Sequence, residues 1–249
     1  MPNTQSPRRK TWFGLTATCL LVLGALQVAP SLAAKEAEGK EAERLARAAE
    51  VFAEILNAPD RTLPRDLLDR SRCIAVIPSM LKAGLVIGGR YGKGVISCRK
   101  EGGTGAWGPP SMITLGGGSF GLQIGGAAVD VVMLVINPSG IENLLQDKFT
   151  LGGDVSAAAG PVGRAATAET DAKMDAKILT YSRSRGLFAG VELKGAAVFQ
   201  DREGNRALYG REIDARELLL EASTPIPAPA KPFIDELDHA SPLRRKKLL

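Results

Sequence analysis

The residues best placed to do chemistry in this sequence sit in one glycine-dense run, Gly116-Gly-Gly-Ser-Phe-Gly121. Within it, Gly117, Ser119 and Gly121 satisfy the spacing of a nucleophile elbow. That motif exposes a serine hydroxyl on a tight strand-to-helix turn and needs an acid and a histidine later in the chain. Asp154 and His239 come in the right order. His239 is the sole histidine, however, and it lies in a proline-rich tail where nothing would fix its ring. Gly116, Gly118 and Gly121 also match the dinucleotide pattern G-x-G-x-x-G, which requires a helix N terminus next and an acid about 20 residues on. Here Leu122 to Ile124 continue as strand and Asp130 comes too early. A serine hydrolase using Ser119 therefore stands only as an alternative, and the run reads first as a sheet bend built of small residues.

Metal chemistry has few ligands to work with. Cys73 and Cys98 are 25 positions apart without a CxxC. Asp171 and Asp175 share one helical face, which solvation explains. No metal, cofactor or catalysis is expected. What remains is a basic set, Lys82, Arg90, Lys93, Arg99 and Lys100. Ordinary surface charge on turn ends is one reading of it. The other is a site for anionic headgroups, where each near-surface cation contributes about 1 kcal/mol.

The elements that must position these residues are organised around Ser111 to Asn137. Six glycines between 116 and 126 would each weaken a helix interior by roughly 1 kcal/mol. Met112–Leu115 and Val131–Ile136 read as buried strands, and glycine inside strands marks bends and close backbone approaches. Upstream, Cys73–Pro78 is a short apolar run. Ala83–Ile87 and Gly94–Cys98 flank a predicted turn, Gly88–Lys93. Downstream, Pro138–Asp147 reads as a helix, Ile178–Ser184 and Leu187–Gln200 as paired strands, Asp201–Asn205 as a turn, and Asp214–Leu220 as a last helix. Leu63–Arg70 reads as a short helix. From Lys35 to Asn57 apolar residues recur at spacings of three and four, Leu45, Phe52 and Leu56 among them. Packing on the core explains that stripe; a membrane or partner face is the competing reading, weakened by a polar face that is mixed rather than basic. The fold class is α+β: a curved, glycine-rich antiparallel sheet or partial barrel with packed helices, in one domain.

The chain opens like a secretory leader. Arg8, Arg9 and Lys10 precede an apolar stretch from Trp12 to Ala29, and Ser31-Leu-Ala33 offers a cleavage site. Residues 1–33 are thus expected to be a signal peptide, 34–222 the domain, and 223–249 a proline-rich, basic, disordered tail. Three cations lie in the leader and Arg244, Arg245, Lys246 and Lys247 lie in the last six residues. Without these seven the formal +5 falls to about −2. Such a body is not a general polyanion binder, and nucleic acid is not an expected partner. Export would also leave Cys73 and Cys98 as the only cysteines, in an oxidising compartment, so a disulfide is expected between them.

Four blocks carry a resemblance to a known family. They are Ala75–Val95 (AVIPSMLKAGLVIGGRYGKGV), Ser111–Asn137, Phe149–Arg164 (FTLGGDVSAAAGPVGR) and Tyr181–Gly190 (YSRSRGLFAG). In order and together they resemble the SYLF-domain family, over roughly Ala34 to Leu220. The resemblance implies a lipid-binding domain without catalytic residues. Eukaryotic members bind phosphoinositides and in some cases actin, usually beside an SH3 or FYVE module. This sequence shows neither module and resembles the secreted bacterial members, which argues against actin. The expected role is binding of anionic phospholipid or membrane surfaces in the periplasm or envelope; beside the hydrolase, the other alternative is a structural envelope interaction protein with the Lys35–Asn57 helix as its partner face.

Overall fold

The structure, a computed structural model, describes residues 32–57, 63–84, 87–120, 125–162, 176–184 and 187–243. The leader's basic and apolar parts, and Asp171 and Asp175, lie outside these residues. The first helix, α1 (Leu32–Leu56), covers the predicted Lys35–Asn57 segment, and α2 (Arg65–Arg70) follows. Next come β1 (Cys73–Gly84), β2 (Ile87–Cys98), β3 (Ser111–Phe120) and β4 (Gly125–Val135). Helix α3 (Pro138–Leu144) leads to β5 (Lys148–Thr150), β6 (Ala157–Ala159), β7 (Ile178–Ser184), β8 (Leu187–Gly190) and β9 (Ala197–Gln200). Two more helices, α4 (Arg202–Tyr209) and α5 (Lys231–Ala240), flank a π-helical turn at Glu217–Glu221.

The α+β expectation holds: the described strands form one strongly curled sheet in the order β5-β9-β3-β2-β1-β4-β7-β6, with β8 also paired to β7. The pairings are antiparallel except β6 with β7. Strand alternation sends residues to two cores. Ile74, Val76, Val95 and Val132 face α1, α2 and α5. Ala75, Ile77, Ile96 and Val131 face a second core closed by Leu144 of α3 and by Leu218 and Leu219. Both sheet faces being covered explains the near-continuous apolar runs of β1 and β4. Glycine permits the curl where backbones meet. A Cβ on Gly94 would lie 2.4 Å from the Val76 carbonyl oxygen, and one on Gly117 would lie 2.9 Å from that of Gly195.

Cys73 and Cys98 are directly opposite in the β1–β2 register and form the expected disulfide. On the chain-entropy account, a bridge enclosing this segment stabilises by roughly 3 kcal/mol. Denaturant melts of the oxidised and reduced protein should differ by about that amount; equal midpoints would show the bond to be energetically idle.

Several boundaries differ from the sequence reading. Gly88–Lys93 is strand, not turn: β1 ends at Gly84, β2 begins at Ile87, and Gly84 pairs with Gly88. Glycines that look like turn signals here serve a bent strand. Leu187–Gln200 is two strands on opposite sides of the sheet, broken around Gly195 at φ 79°. Asp201–Asn205 opens a helix because the Asp201 side chain caps it, accepting from the Gly204 N–H at 3.1 Å. The largest correction is the tail. Residues 231–240 form α5, with Phe233, Ile234 and Leu237 buried against α1. Pro232 sits in the first turn, where its missing N–H costs nothing. The proline count concealed an amphipathic helix.

Candidate anion-binding site at the hairpin tip

The cationic set predicted from sequence splits into three places. Lys82 and Arg90 are cross-strand neighbours near the tip of the β1–β2 hairpin. Lys93 donates to Asp201 Oδ2 at 2.9 Å, and the same oxygen receives Arg44 of α1 at 3.0 Å. Lys93 is thus a strut between sheet and helices. Arg99 is buried, stacks 4.3 Å over the Trp107 ring, and donates to the Gly105 carbonyl and to Ser241. It anchors the end of α5. Lys100 lies beyond Arg99, at the disulfide end. From Cys73 to Lys82 is nine residues of strand, roughly 30 Å at about 3.3 Å each. The five cations are therefore not one site, because the strands are long where a short hairpin was predicted.

The tip pair depends on a bulge. Between Val76 and Leu81 the β1 strand carries one residue more than β2. An extra residue moves every later side chain to the other face. Ser79 absorbs it at φ 50°, its N–H held by Asp130 Oδ1 at 2.9 Å. Asp130 is in turn gripped by Arg183, which also pairs with Glu54 of α1. The result sets Lys82 beside Arg90 on the face of Ile96 and Gly94, and Leu81 beside Tyr91 on the other. Ala127 of β4 and Gly117 of β3 are the outer neighbours in the ladder, so the two cations stand between small residues.

Among the described residues neither Lys82 nor Arg90 makes an ion pair, and the Arg90 Nε is buried without a hydrogen-bond partner. Burial, and then the charge of Arg90, lowers the Lys82 ammonium below its ordinary pKa; burial lowers Arg90 as well. Two like charges held half-buried, with a donor left unsatisfied, disfavour the empty state and favour an anion that bridges them. On the opposite face Leu81 and Tyr91 are 59% and 53% exposed, beyond the reach of α1. The tip thus has a cationic face and an apolar face.

The other sequence candidates resolve differently. Leu45 and Phe52 have no exposed surface and Leu56 packs against the same core, so the α1 stripe is a core face and not an open docking face. Ser119 lies within β3, paired with Gly88 near the tip. His239 is on α5, whose end is tied to Arg99 at the far end of the sheet. Asp154 caps its own turn, accepting the Thr150 N–H at 2.8 Å. The three members of the hydrolase alternative are thus not brought together, and Ser119 is not in a strand-to-helix elbow. Sequence reasoning missed Leu81 and Tyr91, for which period-2 alternation through the unsuspected bulge would have been the signal.

The described residues thus form a curled sheet with a pair of cations at its hairpin tip. Comparison with known proteins gives its kind. A family model described as "Ysc84: Las17-binding protein actin regulator" matches residues 116–240. The chain is 38% identical over 172 residues to LAS seventeen-binding protein 3 of Saccharomyces cerevisiae, covering 68% of this chain and 37% of that protein. It is 33% identical over 201 residues to SH3 domain-containing YSC84-like protein 1 of Homo sapiens, covering 80% of this chain and 58% of that one. Protein YSC84 of Saccharomyces cerevisiae is 35% identical over 182 residues. The chain belongs to the Ysc84, or SYLF-domain, family. It spans between about a third and three fifths of the length of these relatives. The first of these is named as a binding protein and the human one for its SH3 domain. They also bear on the expectation against actin, since the family description itself names an actin regulator.

Proposed function

We propose that this protein is a non-catalytic domain that docks on anionic membrane surfaces of the cell envelope through the β1–β2 tip. The observation that carries the reading is the Lys82–Arg90 pair, half-buried and, among the described residues, without an ion-pair partner and with the Arg90 Nε unsatisfied. Arginine holds a phosphate through two parallel hydrogen bonds and lysine adds a point charge. Leu81 and Tyr91 supply apolar surface for the headgroup boundary, where an amphipathic ring is favoured. The leader-like N terminus supports export to the periplasm. No described helix is long and apolar enough to cross a membrane.

The test is flotation of the mature chain with phosphatidylcholine vesicles containing or lacking phosphatidylglycerol. Lys82→Ala with Arg90→Ala should weaken binding to the anionic vesicles about 30-fold, from roughly 1 kcal/mol per cation. Binding should also weaken as pH rises, at values below the ordinary lysine range, because Lys82 sheds its proton early. Lys82→Arg should remove that fall. Undiminished flotation of the double variant would place the contact elsewhere, and absence of wild-type flotation would end the lipid reading.

A second reading, recognition of a protein, is favoured by the family description. Sedimentation with filamentous actin distinguishes it. Co-pelleting of the mature chain would overturn the inference from the leader that actin is not its partner.

A further inference from the structure

Among the described residues the three most exposed large apolar side chains are Leu187, Leu81 and Tyr91, at 70%, 59% and 53%. The strand register sets them at one level of the sheet. Leu81 is opposite both Tyr91 of β2 and Ala128 of β4. Arg183 of β7 is opposite Asp130 of β4, and the next pair toward the tip is Ser184 with Leu187 of β8. Leu187 is therefore one residue, about 3.3 Å along the strands, from the level of Leu81. The three do not share a face. Leu81 and Tyr91 lie on the α1 side. Phe188 packs in the α1 core, so alternation turns its neighbour Leu187 to the other face, that of Lys82 and Arg90.

Beyond this level the ends of β3, β2, β1 and β4 project together. β9 pairs with β3 only as far as Gly116, and β7 with β4 only as far as Asp130. Among the described residues, 117–120 of β3 and 125–129 of β4 thus have no strand on their outer side. Besides Lys82 and Arg90, the strand residues beyond Leu81 are glycine, alanine, Ile87, Ser119 and Phe120, with no acid. Soluble sheets protect such edges with lysine or proline; these carry neither. A protein partner docks on one face or along one edge. Apolar exposure on both faces, with two bare edges, fits a medium that surrounds the tip. The same edges limit its depth, because unpaired backbone groups are not carried into the hydrocarbon core. From Leu81 to Gly84 is three residues, roughly 10 Å, the depth to which interfacial elements bury.

We propose that the tip is a wedge. The four strand ends enter one leaflet of an anionic bilayer as far as Leu81, Tyr91 and Leu187, which meet the acyl boundary, while Lys82 and Arg90 extend back to the phosphates. Four strands at about 4.8 Å spacing part the headgroups over roughly 15 Å. A strongly curved outer leaflet, whose headgroups are already spread, is therefore the preferred partner over a flat one. The inference rests on the tip reading for the place of contact and adds its depth and the kind of bilayer.

The test uses the mature chain carrying Tyr91→Trp or Leu187→Trp, with phosphatidylcholine–phosphatidylglycerol vesicles whose acyl chains are brominated. Trp107 is buried at the disulfide end and supplies the unquenched reference in wild type. Both introduced tryptophans should be quenched. Leu187→Ser should weaken flotation about 5-fold with no change of charge, and sonicated vesicles should bind more tightly than large extruded ones of the same composition. If wild type floats but neither tryptophan is quenched, the contact stops at the headgroups: the wedge fails and the tip reading survives. Quenching at Tyr91→Trp alone would show a one-faced contact and overturn the wedge. Equal binding to sonicated and extruded vesicles would overturn the preference for curvature. A lipid-free dimer in sedimentation velocity, returned to monomer by Leu187→Ser, would assign these side chains to a second copy instead. If wild type does not float, the tip reading and the wedge fail together.

Discussion

Asp201→Ala should lower the stability of the fold by about 2 kcal/mol or more, because it removes one of the two carboxylates on the buried Arg44 and a helix cap. One Asp201 oxygen receives both Arg44 and Lys93, and the other receives the Gly204 N–H. Arg44 is 12% exposed and Lys93 41%. Lys93 can return to water when the carboxylate goes; Arg44 keeps only Glu41. Most of the loss therefore falls on Arg44 and on the first turn of α4. Asp201→Asn, which retains an oxygen for the cap, should recover about 1 kcal/mol. Burial raises the Asp201 pKa, but the bonds from Lys93, Gly204 and Arg44 outweigh it and hold the carboxyl below its ordinary value. A group so depressed in the folded state contributes stability that is present above its unfolded pKa and is lost as pH falls through the folded one. Urea melts of wild type should lose this contribution in acid, and melts of Asp201→Asn should not. A neutral effect of Asp201→Ala at pH 7 would mean that the three elements joined there are held by packing alone.

The second large effect concerns α5. Phe233→Ala should cost about 3–5 kcal/mol, the range for truncating a fully buried aromatic side chain. Phe233 is wholly buried beneath α1. Ending the chain at Ala222 removes Phe233, Ile234 and Leu237 together and should abolish cooperative unfolding. Both are measured by calorimetry or by circular dichroism melts. A truncated chain with the wild-type midpoint would return residues 223–243 to the unpacked tail that their prolines suggest.

The family was legible through the resemblance of four sequence blocks to it; the α+β class and the curved, glycine-bent sheet were legible in the order of residues, because strands covered on both faces are written as apolar runs. The disulfide was legible too: two cysteines at the ends of strands expected to pair have one partner each. The α1 stripe was readable as a periodicity, though only the packing of Leu45 and Phe52 decided that it faces the core.

The functional geometry was not readable in the same way. The sequence presents Lys82, Arg90, Lys93, Arg99 and Lys100 as one cluster because they are close along the chain. Strand alternation sends Lys93 and Arg90 to opposite faces, and strand length puts Arg99 and Lys100 at the other pole. The pairing of Lys82 with Arg90 hangs on one extra residue at Ser79, held by an aspartate 51 positions away. Local propensity carries no record of such a register shift. Likewise nothing near Asp201 announces Arg44, 157 positions upstream. Sequence by itself determined which segments are apolar enough to become strands and helices. Only the tertiary structure decided which charges are struts and which are left without partners, since that depends on long-range register and on what each face meets.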